Sequence, residues 1–155
     1  MSAANHSFYL RNCYLENRLS GGEMTLAGRR VSLADVKIPI YNLSSREDHI
    51  APARSVFLGS RFFGGAVEFV MAGSGHIAGV INPPAAKKYQ FWTGGRPGGD
   101  FAEWIAKATE HPGSWWPHWQ TWIEDKDNRR VPARKPGGKT RALGNAPGEY
   151  VKVRI

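Results

Sequence analysis

Residues 71–84, MAGSGHIAGVINPP, decide how this chain folds because they join a predicted strand to a histidine. The strand is Ala66–Met71, an apolar and β-branched run between glycines, and His76 lies just beyond it. A similar run, Ile38–Leu43, predicts a second buried strand, and Asp48 lies the same distance beyond its end. Each predicted strand therefore leads into one side chain capable of acid–base chemistry.

The residues between these strands predict a crossover helix over Pro52–Phe63. Proline is tolerated in the first turn of a helix, Ala53, Val56 and Phe57 share one face, and Gly64 can end it. A strand–helix–strand unit joins parallel neighbours through a right-handed crossover. The two strands are therefore expected to end on the same edge of one sheet.

Asp48 and His76 are expected to lie side by side at that edge, where open α/β sheets place their ligands and catalysts. An acid followed along the chain by a histidine matches the last two members of an α/β-hydrolase triad, whose order is nucleophile, acid, histidine. No G-x-S-x-G or G-x-C-x-G occurs, and Ser74 stands in a different context. The sequence thus predicts half of an active site.

Four ordered motifs resemble the C-terminal region of class I polyhydroxyalkanoate synthases. They are HSFYLRNCYLENRL at 6–19, SREDHI at 45–50, GSGHIAGVINPP at 73–84 and EHPGSWWPHW at 110–119. The resemblance runs from about Asn5 to the closing APGEYVKVRI, nearly the whole chain. It implies the C-terminal part of an α/β-hydrolase fold: a partial parallel sheet with a crossover helix, then tryptophan-rich helices and a basic tail.

The resemblance also implies an activity. Such enzymes are acyltransferases that polymerise (R)-3-hydroxyacyl-CoA into polyester with release of CoA, through a Cys-Asp-His triad. Asp48 and His76 would be the catalytic acid and base here, and the nucleophilic cysteine would lie before Met1. No cofactor or metal is implied. The substrate, the polyester chain, an N-terminal synthase portion and a synthase dimer partner are the expected partners.

Two features of this site stay open at the level of sequence. Asp48 either orients and charge-stabilises His76 or acts as general base for the 3-hydroxyl group that attacks the acyl-enzyme, the role favoured for the family. Ser44 stands where the family commonly has glycine, and Ala53 where it commonly has an aromatic residue. These departures leave the catalytic pair intact and concern the local wall of the pocket.

Composition is that of one folded domain. The chain has 155 residues, 41% hydrophobic and 22% charged. Two clear strands and one hairpin are fewer than a doubly wound sheet needs, so the chain resembles part of a domain. The single cysteine, Cys13, permits no internal disulfide, and neither a signal peptide nor a membrane-spanning run is visible. We expect a cytoplasmic protein, located at the polyhydroxyalkanoate granule surface if the resemblance holds.

Net charge is concentrated at the end of the chain. Residues 126–155 hold nine Lys or Arg against two Asp or Glu, so seven of the eight net positive charges lie there. This Pro/Gly-rich segment could touch nucleic acid, an anionic surface or the main body. It lacks the interleaved aromatics of a single-strand platform, which favours a solvated tail and disfavours nucleic acid. The predicted domains are 1–125, a catalytic portion, and 126–155, a basic tail.

The remaining elements are predicted from periodicity. A helix is expected over His6–Leu19, with Cys13 as a small buried side chain inside it. Alternation over Met24–Leu33 predicts a short hairpin or an edge strand.

All six tryptophans lie beyond Pro84. Phe101, Trp104, Ile105 and Ala108 share a face of a helix that Gly113 ends. A second helix follows, capped by Ser114 with Pro117 in its first turn, and it aligns Trp115, Trp119 and Trp122 as a cover packed on the sheet.

Other chemistries are weaker. Gly73, Gly75 and Gly79 give a pattern one residue too long for a dinucleotide fingerprint and are better explained by a tight turn near His76. His111 and His118 are not at metal-ligand spacing. His49 is either a neighbour that supports Asp48 or a packed side chain.

Three functional hypotheses follow from these patterns. The first is the catalytic C-terminal part of a polyhydroxyalkanoate synthase, inert alone because the nucleophile is absent. The second is a non-catalytic module of the same origin that binds a granule surface or a synthase subunit through the tryptophan helices and the tail. The third, a complete small hydrolase, is disfavoured by the missing nucleophile motif.

Overall fold

The computed structural model describes residues 1–135, 137–138 and 143–154. They divide into two compact units, Met1–Trp122 and Ile123–Ile155. The α-helices are α1 (Ala3–Tyr9), α2 (Ala53–Ser60), α3 (Phe101–Lys107) and α4 (Trp116–Glu124). The strands are β1 (Thr25–Leu26), β2 (Arg29–Arg30), β3 (Ile40–Ser45), β4 (Val67–Ala72), β5 (Gln90–Thr93) and β6 (Thr109–Pro112). A π-helix spans Leu10–Leu15, and 3₁₀ turns span Leu33–Asp35, Pro84–Ala86 and Tyr150–Lys152.

The main sheet has the order β3-β4-β5-β6. β3 and β4 are parallel, in a register that runs from Ile40 opposite Val67 to Ser45 opposite Ala72, which confirms the predicted pair. β5 and β6 are antiparallel, so the expectation of a partial parallel sheet is right for only half of it. The sequence did not reveal β6, Thr109–Pro112, because a four-residue TEHP strand carries no apolar alternation.

The crossover between the parallel strands is α2, which is shorter than predicted. Pro52 is its N-cap residue and the helix ends at Ser60, not at Phe63. Gly64 does not end the helix: a side chain on it would meet the Ala34 carbonyl oxygen at 1.9 Å, so the residue serves a close passage between two backbones.

The core lies between the main sheet and helices α2 and α3. Phe57, Phe69 and Trp104 pack edge-to-face or tilted, with ring centroids of Phe57 and Phe69 5.2 Å apart and those of Phe69 and Trp104 4.9 Å apart. Its buried members are Ala53, Phe57, Phe69, Met71, Trp92 and Trp104, with Val56, Phe101 and Ala108 packed against them. The predicted apolar face of α2 is therefore confirmed.

Helix α3 ends at Lys107, and the prediction that it continues to Gly113 is wrong. The chain becomes extended at Ala108 and enters β6, which pairs with β5. Pairing in the sheet thus overrides the helical pattern after about two turns. Within the helix, Ile105 is exposed rather than part of the core face.

The N-terminal helix differs from its prediction. It begins at Ala3, becomes a π-helix at Leu10 and ends at Leu15, before the predicted end at Leu19. Asn17 follows in a left-handed conformation, φ 47°, which a continuing helix cannot adopt. The wider π turn buries Asn12, and Cys13 is only half-buried, contrary to expectation. The predicted hairpin over Met24–Leu33 is confirmed by β1 and β2.

Helix α4 covers the other face of the sheet at β3. Ser114 Oγ accepts a hydrogen bond from Trp116 N at 3.1 Å, which confirms the predicted cap. The Tyr41 ring contacts Trp115 and Trp122 at centroid distances of 6.1 and 5.5 Å, so the cover is confirmed for these two, whereas Trp119 is exposed.

The polar contact between α4 and β3 joins Tyr41 and His118. The Tyr41 hydroxyl and His118 Nδ1 lie 3.0 Å apart. Burial lowers the pKa of His118 below its ordinary value, which favours the neutral ring in this contact.

The second unit includes the whole of the predicted basic tail. Its described residues from Asp125 onward are exposed, apart from the half-buried Gly148. Local ion pairs join Arg129 to Asp127 and Lys152 to Glu149, the latter at 2.8 Å. Lys139 and Arg141 lie outside the described residues. The division into 1–125 and 126–155 stays a prediction. Among the described residues no helix combines the length and hydropathy needed to cross a bilayer.

The packing of the core predicts that two phenylalanine substitutions differ greatly in their effect on stability. Phe69 has no exposed surface, whereas Phe62 is 43% exposed. We expect Phe69→Ala to lower the free energy of unfolding by about 3–5 kcal/mol and Phe62→Ala by less than about 1 kcal/mol. Urea denaturation followed by tryptophan fluorescence measures both. Equal losses would contradict the assignment of Phe69 to the core.

Candidate active site

Asp48 is held by the turn that follows β3. Its backbone N–H donates to the Ser45 carbonyl at 3.2 Å, and its Oδ1 accepts from the backbone N–H groups of Ile50 and Ala51 at 2.8 and 2.9 Å. An aspartate that bonds the backbone two and three residues ahead stabilises such a turn. Its side chain is only 8% exposed. The carboxylate is therefore fixed by its own loop before any other group approaches it.

His76 is the partner of that carboxylate. Its Nδ1 lies 2.8 Å from Asp48 Oδ2, although the two residues belong to loops after different strands. Since a carboxylate only accepts, Nδ1 carries the proton in this pair, and Nε2 of the neutral ring is left with a free lone pair. The imidazole is 45% exposed. The predicted juxtaposition of the two side chains is confirmed; their catalytic role stays a prediction.

The electrostatics of the pair keep Asp48 ionised. The backbone N–H of Ala51 is the largest cause, followed by the hydrogen bond from His76, and together with Ile50 they lower the pKa of Asp48 to about 2. Asp48 is thus a carboxylate at neutral pH. It orients the imidazole and stabilises any positive charge that forms on it.

The histidine loop requires a glycine at Gly79. A side chain there would meet the Gly73 carbonyl oxygen at 2.4 Å and Ser45 Oγ at 2.6 Å. A side chain on Gly75 would find nothing nearer than the Glu47 carbonyl oxygen at 3.8 Å. The tight-turn interpretation of these glycines is confirmed at Gly79, where close packing of the loop on β3 is the reason.

The residue before this turn, Ser74, has a left-handed backbone. Its φ is 68°, which is uncommon for a residue with a side chain. The Ser74 carbonyl accepts from the Glu47 backbone N–H at 3.0 Å, so the acid loop and the histidine loop are also joined through their backbones. Strained backbone at this position is of the kind that surrounding contacts maintain at functional sites.

The two departures noted in the sequence are both buried. Ala53 belongs to the core, so the small residue fills space between α2 and the sheet. Ser44 is buried at the end of β3, and its Oγ has no hydrogen-bond partner among the described residues. His49, next to Asp48, is exposed. The described residues include no group of three or more metal-ligating side chains.

Sequence reasoning missed the contacts that hold the histidine loop from α4. Trp115 and Trp116 both donate their indole N–H to the Val80 carbonyl, and Asn82 Nδ2 donates to the Lys88 carbonyl at 2.8 Å. Val80 lies 35 and 36 residues from the two tryptophans, whereas Asn82 and Lys88 are only six residues apart, and none of these contacts shows a periodic signal. A buried asparagine within a motif that carries a histidine was the one available hint.

Fold and pair define a mixed α/β protein with an acid–histidine pair at the carboxyl edge of two parallel strands. Comparison with known proteins gives the family. The chain is 72% identical over 99% of its length to the poly(3-hydroxyalkanoate) polymerase subunit of Rhizobium meliloti, of which it covers 25%. It is 60% identical over 99% of its length to the poly(3-hydroxyalkanoate) polymerase of Methylorubrum extorquens, of which it covers 26%.

A more distant relative agrees. The chain is 41% identical over 96% of its length to the polymerase subunit of Cupriavidus necator, of which it covers 26%. No protein-family model matches. The chain therefore belongs to the poly(3-hydroxyalkanoate) polymerase family and corresponds to the C-terminal region of these proteins, as predicted. It spans about a quarter of the length of the relatives it matches.

The lowered pKa of Asp48 predicts a specific acid response. A carboxylate whose pKa is lower in the folded state stabilises the fold above its unfolded pKa of about 4. This contribution is lost as pH falls toward the folded pKa of about 2. We expect the wild-type chain to lose more stability than Asp48→Asn between these limits, measured by urea denaturation. Parallel pH profiles of the two proteins would contradict it.

The packing of the histidine loop predicts a contrast between two glycines. Gly79→Ala forces the loop away from β3, and we expect it to cost about 1–3 kcal/mol and to weaken the contact between Asp48 and His76. Gly75→Ala is the matched control, because a methyl group fits there. Thermal melts and the NMR signals of the His76 ring measure both effects. A Gly79→Ala protein with a wild-type His76 signal would refute this account of the turn.

Proposed function

We propose that this chain supplies the general base and its orienting carboxylate to a polyhydroxyalkanoate synthase. In that enzyme (R)-3-hydroxyacyl-CoA is polymerised to polyester and CoA is released. The observation that most directly supports this proposal is the 2.8 Å contact between His76 Nδ1 and Asp48 Oδ2 at the carboxyl ends of two parallel strands. This placement supports the C-terminal part of an α/β-hydrolase fold. The nucleophilic cysteine comes from outside the chain.

The chemistry assigned to His76 is proton transfer at Nε2. Nε2 takes the proton of the cysteine thiol, the thiolate attacks the thioester carbonyl carbon, and the CoA sulfur leaves with that proton. An acyl-enzyme thioester results. In the second half-reaction Nε2 takes the proton of an incoming 3-hydroxyl group, whose oxygen attacks the acyl carbon and displaces the enzyme thiolate. The imidazole is 45% exposed, which suits both steps.

Asp48 is proposed to orient His76 rather than to deprotonate the hydroxyl itself. Both carboxylate oxygens are occupied, Oδ1 by two backbone N–H groups and Oδ2 by His76. A carboxylate with a pKa of about 2 has little affinity for a proton. Its low exposure also leaves little room for a substrate hydroxyl. These three properties favour the orienting role over the direct one.

The surroundings of the pair support its coverage by another part of the polymerase. Ile50 is 66% exposed, Ile77 68% and Ile81 65%, so large apolar side chains flank both loops. Exposed apolar residues grouped around reactive side chains are typical of a surface that another segment covers. We propose the nucleophile-bearing portion of the polymerase as that segment. Within the cell the assembly would work at the granule surface, on acyl-CoA and the growing polyester.

The test is reconstitution with a polymerase portion that carries the cysteine. We expect co-expression to restore CoA release from 3-hydroxybutyryl-CoA, and His76→Ala to abolish acyl-enzyme formation seen by mass spectrometry. Asp48→Asn should lower acylation and chain growth together, by on the order of 10²- to 10⁴-fold. His49→Ala is the matched control, because this neighbouring histidine is exposed.

Three outcomes would decide against the assignment. Full activity of both His76→Ala and Asp48→Asn would refute the catalytic pair. An Asp48→Asn enzyme that forms the acyl-enzyme normally but does not elongate would transfer the hydroxyl-base role to Asp48. Steady CoA release by this chain alone, surviving Cys13→Ala, would show that the nucleophile lies within it.

A further inference from the structure

The loop that carries His76 is a short helical turn with an open end. The Gly79 backbone N–H donates to the Gly75 carbonyl at 3.0 Å, and that of Ile81 donates to the Ile77 carbonyl at 2.8 Å. The carbonyl oxygens at the C-terminal end of such a turn have no backbone N–H donor within it. Val80 supplies one of these carbonyls. Whatever binds it fixes the end of the turn.

Two indoles bind this carbonyl, one from Trp115 just before α4 and one from Trp116, the first residue of α4. Trp116 Nε1 lies 3.0 Å and Trp115 Nε1 3.2 Å from the Val80 carbonyl oxygen. A carbonyl oxygen has two lone pairs and an indole nitrogen only donates, so both bonds can form at once. Two consecutive tryptophans thus bind the end of the turn at Val80. Val80 lies about one helical turn beyond His76.

The donors are themselves fixed to the sheet. Ser114 Oγ caps α4 through the Trp116 backbone N–H, and the Trp115 ring packs against Tyr41 of β3. The far side of the turn is fixed by the buried Asn82, whose Nδ2 donates to the Lys88 carbonyl at 2.8 Å. The turn is therefore attached to β4 at its start and to the beginning of α4 at its end. Its position on the sheet depends on both ends.

We propose that Trp115 and Trp116 are positioning residues for His76. Their indole N–H groups hold the Val80 carbonyl and keep the turn in the place where Nδ1 of His76 meets Asp48 Oδ2. This inference rests on the proposed function for its catalytic meaning, because it takes His76 as the base. The close packing at Gly79 restricts the turn to one position against β3. The two indole N–H groups hold it in that position. A misplacement of about 1 Å in such a base costs on the order of 10²-fold in rate.

The first test uses the full chain and does not depend on catalysis. Trp115→Phe/Trp116→Phe removes both N–H donors and keeps aromatic rings, and the two single variants remove one each. Nitrogen-15 NMR of the histidines reports the tautomer and the titration of His76. We expect the wild-type ring in the Nδ1–H form, and in the double variant a mixture with the Nε2–H form and a shifted titration. Trp119→Phe changes a ring that packs on Trp115, with centroids 5.9 Å apart, but keeps both N–H donors to the Val80 carbonyl, so it should leave His76 unchanged.

The second test measures the reconstituted polymerase. The double variant should lower kcat by about 10- to 100-fold with KM little changed, and each single variant by less, because a misplaced base slows chemistry more than binding. The two proposals can fail separately. If His76→Ala kept activity while the Trp115→Phe/Trp116→Phe variant still changed the His76 NMR signal, the positioning role would stand and the proposed function would fail.

The proposal is overturned by either of two results. One is a folded double variant, with wild-type amide signals in β3 and β4, whose His76 tautomer and titration equal those of the wild type. The other is a Trp119→Phe variant that changes His76 as much as the double variant does. If the double variant does not fold, a folded Trp116→Phe protein with a wild-type His76 signal decides against the proposal in the same way.

Discussion

The parallel pairing of β3 with β4 is the constraint on which the site depends. Strands that run in the same direction deliver their next residues to one edge, and the six-residue register from Ile40 to Ser45 brings the acid loop and the histidine loop to the same level. A hairpin would have placed Asp48 and His76 at opposite edges. Topology, rather than any single contact, therefore creates the pair.

Within that edge, the contacts divide the work between backbone and side chains. Ile50 and Ala51 donate backbone N–H groups to Asp48, so the carboxylate is oriented and its pKa lowered by local structure alone. His76 depends on distant groups, since its turn is seated by Gly79 and closed by the indoles of α4. The acid is therefore the rigid partner and the histidine the adjustable one. Under the proposed function, this asymmetry would suit a base that meets a nucleophile and a hydroxyl in turn.

The sequence was sufficient to predict the features that depend on local hydrophobic pattern and on the order of elements along the chain. Apolar runs located β3 and β4, and the chain order of Asp48 and His76 located the pair. It failed where tertiary pairing overrides local preference: the helical face of Phe101–Ala108 ran on past Lys107, where the chain instead pairs as β6. It also failed at the Val80 carbonyl, because a backbone acceptor has no signature in sequence. Side-chain chemistry was thus predictable, and the scaffold that seats the histidine was not.

The same division explains why so small a part of a polymerase can hold an ordered acid–histidine pair. The hydrogen bonds that orient Asp48 come from residues 45–76, and the turn of His76 is closed by Trp115 and Trp116, within the first compact unit. None of these bonds needs a nucleophile to form. What the pair lacks is a cover, as the exposed Ile50 and Ile77 indicate. Under the proposed function, the remaining polymerase would contribute the exclusion of water from His76, which strengthens the electrostatic interactions inside the closed site.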